Sequence, residues 1–254
     1  MRVAVAGASG NIGSLTMAAL RHHGHDPVPI SRSHGVDLLT GHGLDEALVA
    51  VDAVIDAISA PGADREATVT YFATTTQNLL NAEQRAGVRH HVMLSIVEVH
   101  RIAGTAHYSG KREQERLVSA GPVPWTIVPA TQFFDFAATV ATWTERDGTA
   151  YLAPLLVQPI APADVAEILA EVAAGPPQGR YRDIAGPDRH DLVDMARRTH
   201  QALGRVMKLV PTWEAILGPD MAGNVLLPGP DVRIAATTFD DWLADQEAER
   251  VRPG

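Results

Sequence analysis

Cysteine is absent from the chain, which excludes disulfides, thiolate nucleophiles and cysteine-bound zinc and makes a reducing cytoplasm the expected location. Positive charge is also scarce: 21 Lys and Arg stand against 30 Asp and Glu, a formal net charge of −9. An acidic surface aids solubility and gives no general grip on a phosphate backbone, so no nucleic-acid partner is expected. No apolar run reaches the roughly 20 residues that span a bilayer, so no membrane partner is expected either. The first residues enter a strand pattern directly, without the features of a cleavable leader. Internal repeats, low-complexity linkers and a charged or amphipathic docking tail are missing too. The 254 residues suffice to bury a substantial core without metal or disulfide staples, and no pattern in them specifies an oligomeric state.

What is present is alternation. Short apolar runs at Val3–Ala6, Val28–Ile30, Ala53–Ile58, His91–Ser95 and Trp125–Val128 read as strands. Between them, segments up to about Arg21, Leu44–Val49, Arg65–Arg85 and Tyr108–Ser119 read as helices, with Gly87 suited to cap the third. Strands alternating with helices of this length predict parallel βαβ units covered on both faces, an α/β fold with a doubly wound sheet. After about residue 130 the pattern becomes richer in proline. Leu155–Ile160 and Arg180–Ile184 read there as strands, and Ala163–Ala173, Leu192–Leu203 and Phe239–Glu247 as helices. A single domain over 1–254 is expected: a binding core over about 1–130, and a small mixed α/β C-terminal lobe, about 131–254, that holds the substrate.

The segment Gly7-Ala8-Ser9-Gly10-Asn11-Ile12-Gly13 spaces its glycines as G-x-x-G-x-x-G between a strand and a helix. Glycine permits the tight turn and lets backbone approach a pyrophosphate, which rests on the positive helix N-terminus. In that context the segment reads as a dinucleotide-binding loop of a Rossmann-type fold. An NAD site usually places Asp or Glu at the end of the second strand, to accept from the ribose 2′-hydroxyl. Here that point carries Ser31-Arg32-Ser33, and a guanidinium flanked by hydroxyls suits a 2′-phosphate, so NADP(H) is the expected cofactor.

Together with Leu94-Ser95-Ile96-Val97, the Lys111 helix and Ala130-Thr131-Gln132-Phe133, this loop resembles the atypical short-chain dehydrogenase/reductases of the NmrA-like NAD(P)-binding type. The resemblance covers about the first 140 residues. It implies a Rossmann fold and an NADP(H) cofactor. Members include reductases of quinones, isoflavones and other carbonyls or alkenes, and also cofactor-binding regulators without catalysis. Carried over by position, the resemblance places Gly7, Ser9, Gly10, Asn11, Ile12 and Gly13 at the pyrophosphate and Arg32 at the adenosine phosphate. Asp37 and Leu38 fall near the adenine, and Ser59 and Ala60 beside the nicotinamide ribose. Ser95, Lys111 and the loop from Pro129 through Thr131 to Phe133 surround the nicotinamide.

Short-chain reductases commonly use Tyr-x-x-x-Lys on one helical face, the lysine holding the ribose and the tyrosine protonating the substrate oxygen. Here the position four before Lys111 is His107, and Tyr108 stands three before it. Either offers a proton, Tyr108 after a modest rotation and His107 because imidazole titrates near neutrality. Ser95, at a strand C-terminus, is placed to hydrogen-bond the substrate oxygen. The expected activity is NADPH-dependent reduction of a small apolar carbonyl, enone or quinone-like substrate. A non-catalytic NADP(H)-sensing regulator is the alternative, and a sugar-nucleotide epimerase is disfavoured by the short C-terminal lobe. No metal site is expected: His22, His23, His25, His90 and His91 lack chelating spacing and read as solvated. Phe133, Phe134 and Phe136 form either a substrate wall or a helix core face. Trp143, Trp213 and Trp242 read as core anchors.

Overall fold

The computed structural model describes residues 1–60 and 64–251. The chain divides into two compact units, one of residues 1–129 with 162–182, the other of 130–161 with 183 onward. Strand and helix alternate through the first: β1 (Arg2–Ala6), α1 (Asn11–His22), β2 (Asp26–Ile30), α2 (Leu44–Ala47), β3 (Ala53–Asp56), α3 (Arg65–Ala86), β4 (His90–Ile96), α4 (Ala106–Ala120) and β5 (Trp125–Ala130). The second unit begins with α5 (Phe136–Thr144), β6 (Thr149–Leu152) and β7 (Leu156–Val157). The chain then returns to the first for α6 (Pro162–Ala174) and β8 (Gly179–Arg180). The second closes with β9 (Asp183–Ala185), β10 (His190–Asp191), α7 (Leu192–Ala202), β11 (Lys208–Pro211), β12 (Val232–Ile234) and α8 (Phe239–Val251).

In the first unit the strands lie in the order β8-β5-β4-β3-β1-β2. β1 pairs in parallel with β2 on one side and β3 on the other. That reversal of winding opens a crevice at the strand C-termini, where doubly wound sheets bind ligands. Prolines at alternate positions of β2, Pro27 and Pro29, pair with Val3 and Val5. Lacking N–H groups, they suit an edge strand and discourage further pairing.

Helices α3 and α4 pack on each other, and α6 packs on α1, β3 and β4. Phe72, Leu79 and Ala82 of α3 join Ala4, Ala6 and Val54 of the sheet in one apolar cluster. A Cβ at Gly110 of α4 would stand 2.2 Å from the Phe72 ring, so glycine permits this close helix approach. Asp64 caps α3 by accepting from the Ala67 N–H at 2.7 Å, and Gly87 closes it in the left-handed region at φ 73°.

Several expectations are corrected. Leu155–Ile160 does not form one strand: only Leu156–Val157 does, and the Ile160 backbone pairs with residues 132–134. Arg180–Ile184 is split between β8 and β9, which belong to different units. The segment 162–182, assigned by its pattern to the later lobe, is part of the first unit. His90 and His91 are not solvated but buried. Neighbours on a strand point to opposite faces, and here both faces are covered. His90 Nε2 meets Thr126 Oγ1 at 2.8 Å, and His91 Nδ1 meets Glu83 of α3 at 2.9 Å. Trp143 and Trp213 are not core anchors, being 59% and 44% exposed. Trp242, half-buried, stacks on Phe239 at 5.7 Å.

Candidate functional site

The glycine loop leaves β1 through Gly7, whose φ of +82° no other side chain adopts cheaply. A Cβ there would also lie 2.9 Å from the Ala57 carbonyl oxygen at the end of β3. At Gly13 a Cβ would stand 2.1 Å from the Gly7 carbonyl oxygen, so this glycine lets the first turn of α1 fold onto the loop. Gly10 is the extended N-cap of α1, and no side chain caps the helix. Ser9, Gly10 and Asn11 form the exposed tip, while the Ile12 side chain is buried beneath. The first turn of α1 carries no acid. An exposed helix N-terminus with no side-chain cap and no acid in its first turn is what a pyrophosphate requires.

At the end of β2, Arg32 is exposed and opens a short turn, Arg32–His34. Ser31 Oγ stands 3.0 Å from Ser33 Oγ and 2.8 Å from His34 Nδ1, which gathers two hydroxyls and an imidazole in the turn that carries Arg32. Asp37 is half-buried and accepts from the Leu39 N–H at 2.9 Å, and Leu38 is buried in the core. Ser59 is exposed and Ala60 half-buried at the exit of β3.

The buried face of α4 carries the reactive groups. Tyr108, Lys111, Gln114 and Glu115 all lie on it, as their spacing of three and four residues requires. Lys111 Nζ donates to the Ile58 carbonyl at 3.2 Å, the Leu94 carbonyl at 2.9 Å and Gln114 Oε1 at 2.8 Å. All three ammonium hydrogens are thus engaged, and the Phe72 ring centroid lies 5.1 Å away. Burial lowers the Lys111 pKa to about 8, against the pull of Asp56 and Glu115. His107 packs edge-on against Phe72, and burial together with the Lys111 charge lowers its pKa to about 4. It is therefore neutral through the physiological range and carries no imidazolium proton to give there.

Ser95 is buried at the end of β4, and its hydroxyl donates to Glu115 Oε1. The other oxygen of Glu115 accepts from Arg180 at 3.0 Å and meets His100 Nε2 at 2.7 Å. The loop from β4 to α4 is pinned by Arg112, which donates to the carbonyls of Val99, Ile102 and Ala103. Tyr108 sits where that loop turns into the helix, with its ring against Gly104.

Pro129 is buried in β5. Thr131 belongs to the second unit, where its N–H donates to the Ile184 carbonyl at 3.0 Å. Within that unit Phe134 is core, tilted against Phe239 at 5.4 Å, whereas Phe133 and Phe136 are half-buried.

Sequence reasoning passed over Asp56, Gln114 and Glu115. Gln114 Nε2 donates to Asp56 Oδ2 at 2.8 Å, joining α4 to the end of β3. The signal was available: Asp56 interrupts the apolar run Val54-Ile55-Asp56-Ala57-Ile58, and an acid in a buried strand needs a partner.

The NAD(P)H-binding family model matches residues 31–176, more than half of the chain. The chain belongs to the NAD(P)H-binding family. This agrees with the resemblance to atypical short-chain dehydrogenase/reductases. The family match starts at Ser31, so the glycine loop rests on its own geometry. Among curated proteins, none matches this family member by sequence. Solved structures share the fold. A nucleoside-diphosphate-sugar epimerase from Staphylococcus aureus is 16% identical with a TM-score of 0.72, covering 96% of this chain and 99% of that one. Triphenylmethane reductase from Citrobacter sp., complexed with NADP(H), is 17% identical with a TM-score of 0.64, over 84% of this chain and 79% of that one. UDP-glucose-4-epimerase from Stenotrophomonas maltophila, with bound NAD, is 16% identical with a TM-score of 0.73, over 98% of each chain. Both epimerase chains are covered almost entirely, so the likeness in fold extends over their whole length. No described helix is long and apolar enough to cross a membrane.

Proposed function

We propose that this NAD(P)H-binding protein is an NADPH-dependent oxidoreductase that reduces a small apolar carbonyl, enone or quinone-like substrate. The observation that carries the reading is the buried Tyr108–Lys111 pair on α4, in the same unit as a glycine loop free of competing carboxylates. When bound, NADPH supplies the hydride. The glycine loop holds the pyrophosphate on the N–H groups of α1, and Arg32 with Ser31 and Ser33 holds the 2′-phosphate. Lys111 orients the nicotinamide ribose by exchanging the Ile58 carbonyl, its longest contact at 3.2 Å, for a ribose hydroxyl. Tyr108 delivers the proton to the substrate oxygen. Ser95 hydrogen-bonds that oxygen once its hydroxyl turns from Glu115.

A second reading, an NADP(H)-sensing regulator, is favoured by one observation: every Lys111 hydrogen already has a partner inside the protein. NADPH consumption by the purified protein against quinones, aldehydes and enones separates the two, since a sensor binds without turnover.

The cofactor assignment has its own test. Arg32→Ala raises the NADPH dissociation constant by about 5- to 150-fold, the roughly 1–3 kcal/mol of a charge-assisted hydrogen bond. NADH binding stays nearly unchanged, because the guanidinium has no 2′-phosphate to meet there. Equal losses for both cofactors in titration calorimetry remove Arg32 from the phosphate site.

A further inference from the structure

We infer that Asp56 and Gln114 are positioning residues that act through Lys111, fixing its place and its charge by a closed hydrogen-bond circuit between α4 and the sheet. The inference rests on the reading of Lys111 as the group that orients the cofactor ribose. The circuit has four bonds. Lys111 Nζ donates to Gln114 Oε1 at 2.8 Å, and Gln114 Nε2 donates to Asp56 Oδ2 at 2.8 Å. The Ile58 N–H donates to Asp56 Oδ1 at 3.1 Å, and the Ile58 carbonyl accepts from Lys111 at 3.2 Å. The ring therefore closes on both backbone groups of Ile58, one residue before Ser59 and Ala60.

Bond polarity around the ring is forced. An ammonium only donates and a carboxylate only accepts, so the Gln114 amide must turn its oxygen to Lys111 and its nitrogen to Asp56. Asp56 and Gln114 are fully buried and Lys111 is 4% exposed. A charge so placed needs an opposite charge. The other groups facing it have partners elsewhere. On α4, Glu115 binds Ser95, His100 and Arg180, and His107 is neutral. On α3, Glu83 is paired with His91 of β4. Although burial opposes charge on His91, the Glu83 and Asp56 carboxylates outweigh it and raise its pKa. His91 Nε2 makes no hydrogen bond and lies 4.0 Å from Asp56 Oδ2. Asp56 is therefore the carboxylate that reaches Lys111 through Gln114, ahead of the second pull from Glu115, and His91 Nε2 stands 4.0 Å from its Oδ2.

The test exploits a feature of composition: the chain has two lysines, Lys111 and the exposed Lys208. Protein labelled with carbon-13 at lysine Cε gives two signals by NMR, so Lys111 can be titrated without cofactor or turnover. The wild-type midpoint is expected near the value of about 8 set by its surroundings. Asp56→Asn removes the anion and is expected to lower that midpoint by about 1–3 pH units. The double variant Asp56→Asn/Gln114→Glu moves the carboxylate against the ammonium and keeps all four bonds, with the one between positions 56 and 114 reversed in direction, so the midpoint returns to the wild-type value or above. Gln114→Met, similar in volume, keeps Asp56 but breaks the circuit, and lowers the midpoint should Asp56→Asn fail to fold. A structural role alone would cost stability and leave the midpoint in place. An unmoved midpoint in a folded single variant, or a swap that fails to restore it, overturns the inference. NADPH affinity at a pH between the two midpoints is expected to fall in Asp56→Asn and recover in the swap. If the midpoint moves while affinity does not, the circuit stands and the ribose role of Lys111 falls.

Discussion

Tyr108→Phe lowers turnover by about 10²–10⁴-fold, the usual effect of losing a general acid, while NADPH affinity holds. The substitution deletes one oxygen and leaves the ring in place. That ring is 9% exposed, and a Cβ at Gly104 would lie 2.5 Å from its Cγ, so it is pressed against backbone and its packing survives. Thermal stability is therefore expected to change little, which separates a chemical loss from a folding loss. His107→Gln is expected to leave the rate almost untouched. The imidazole is held at about 4 by burial and by Lys111, so its charged form is lost as pH rises through that value and is sparse at neutrality. A rate that instead falls as pH rises between roughly 6 and 7, the ordinary imidazole range, and that disappears in His107→Gln, gives the proton to His107.

Glycine-loop substitutions have effects of similar size but different kinds. Gly13→Ala places a Cβ 2.1 Å from the Gly7 carbonyl oxygen and 2.7 Å from its carbon, all backbone that cannot swing aside. Both cofactor binding and thermal stability are expected to drop, the latter by about 1–3 kcal/mol or more, as for an overpacked core. Gly10→Val is the milder change for the fold. Gly10 is extended, at φ −82° and ψ 172°, and a Cβ meets only the Gly7 oxygen at 3.2 Å. Its branched side chain projects from the exposed tip where pyrophosphate must approach. The NADPH dissociation constant is expected to rise by about two orders of magnitude, roughly two charge-assisted hydrogen bonds, with a native circular-dichroism spectrum. Calorimetry beside thermal unfolding reads both, and normal binding by Gly10→Val removes the loop from the cofactor site.

The loop was legible in the sequence because its determinants are local. A strand, three glycines and a helix start lie within a dozen residues, and each is required by backbone geometry. The C-terminal end of α3 was legible for the same reason, since Gly87 acts on its own helix. Longer-range features were not. His90 and His91 are adjacent polar residues, and only the helices covering both faces of the sheet bury them. Glu115, four residues beyond Lys111, was visible as a helical neighbour, but its bond to Ser95 spans 20 positions and its bond to Arg180 spans 65. The return of 162–182 to the first unit carries no local signal, since α6 would look the same packed anywhere. Asp56 could have been found, because an isolated acid within a buried strand announces a partner; naming that partner as Gln114 required the fold.

Transfer of hydride from the bound cofactor is the central claim, and NADPH deuterated at C4 of the nicotinamide tests it most directly. The protein is incubated with the labelled cofactor and each quinone, enone or aldehyde, and the products are analysed by mass spectrometry. The account predicts that a reduced aldehyde or enone carries deuterium from C4 on carbon, that a hydroquinone, whose hydrogens exchange with water, forms in step with NADPH consumed, and that Tyr108→Phe slows both. NADPH bound tightly but returned unoxidised across the whole set would contradict it, and would leave a protein that senses its cofactor rather than spends it.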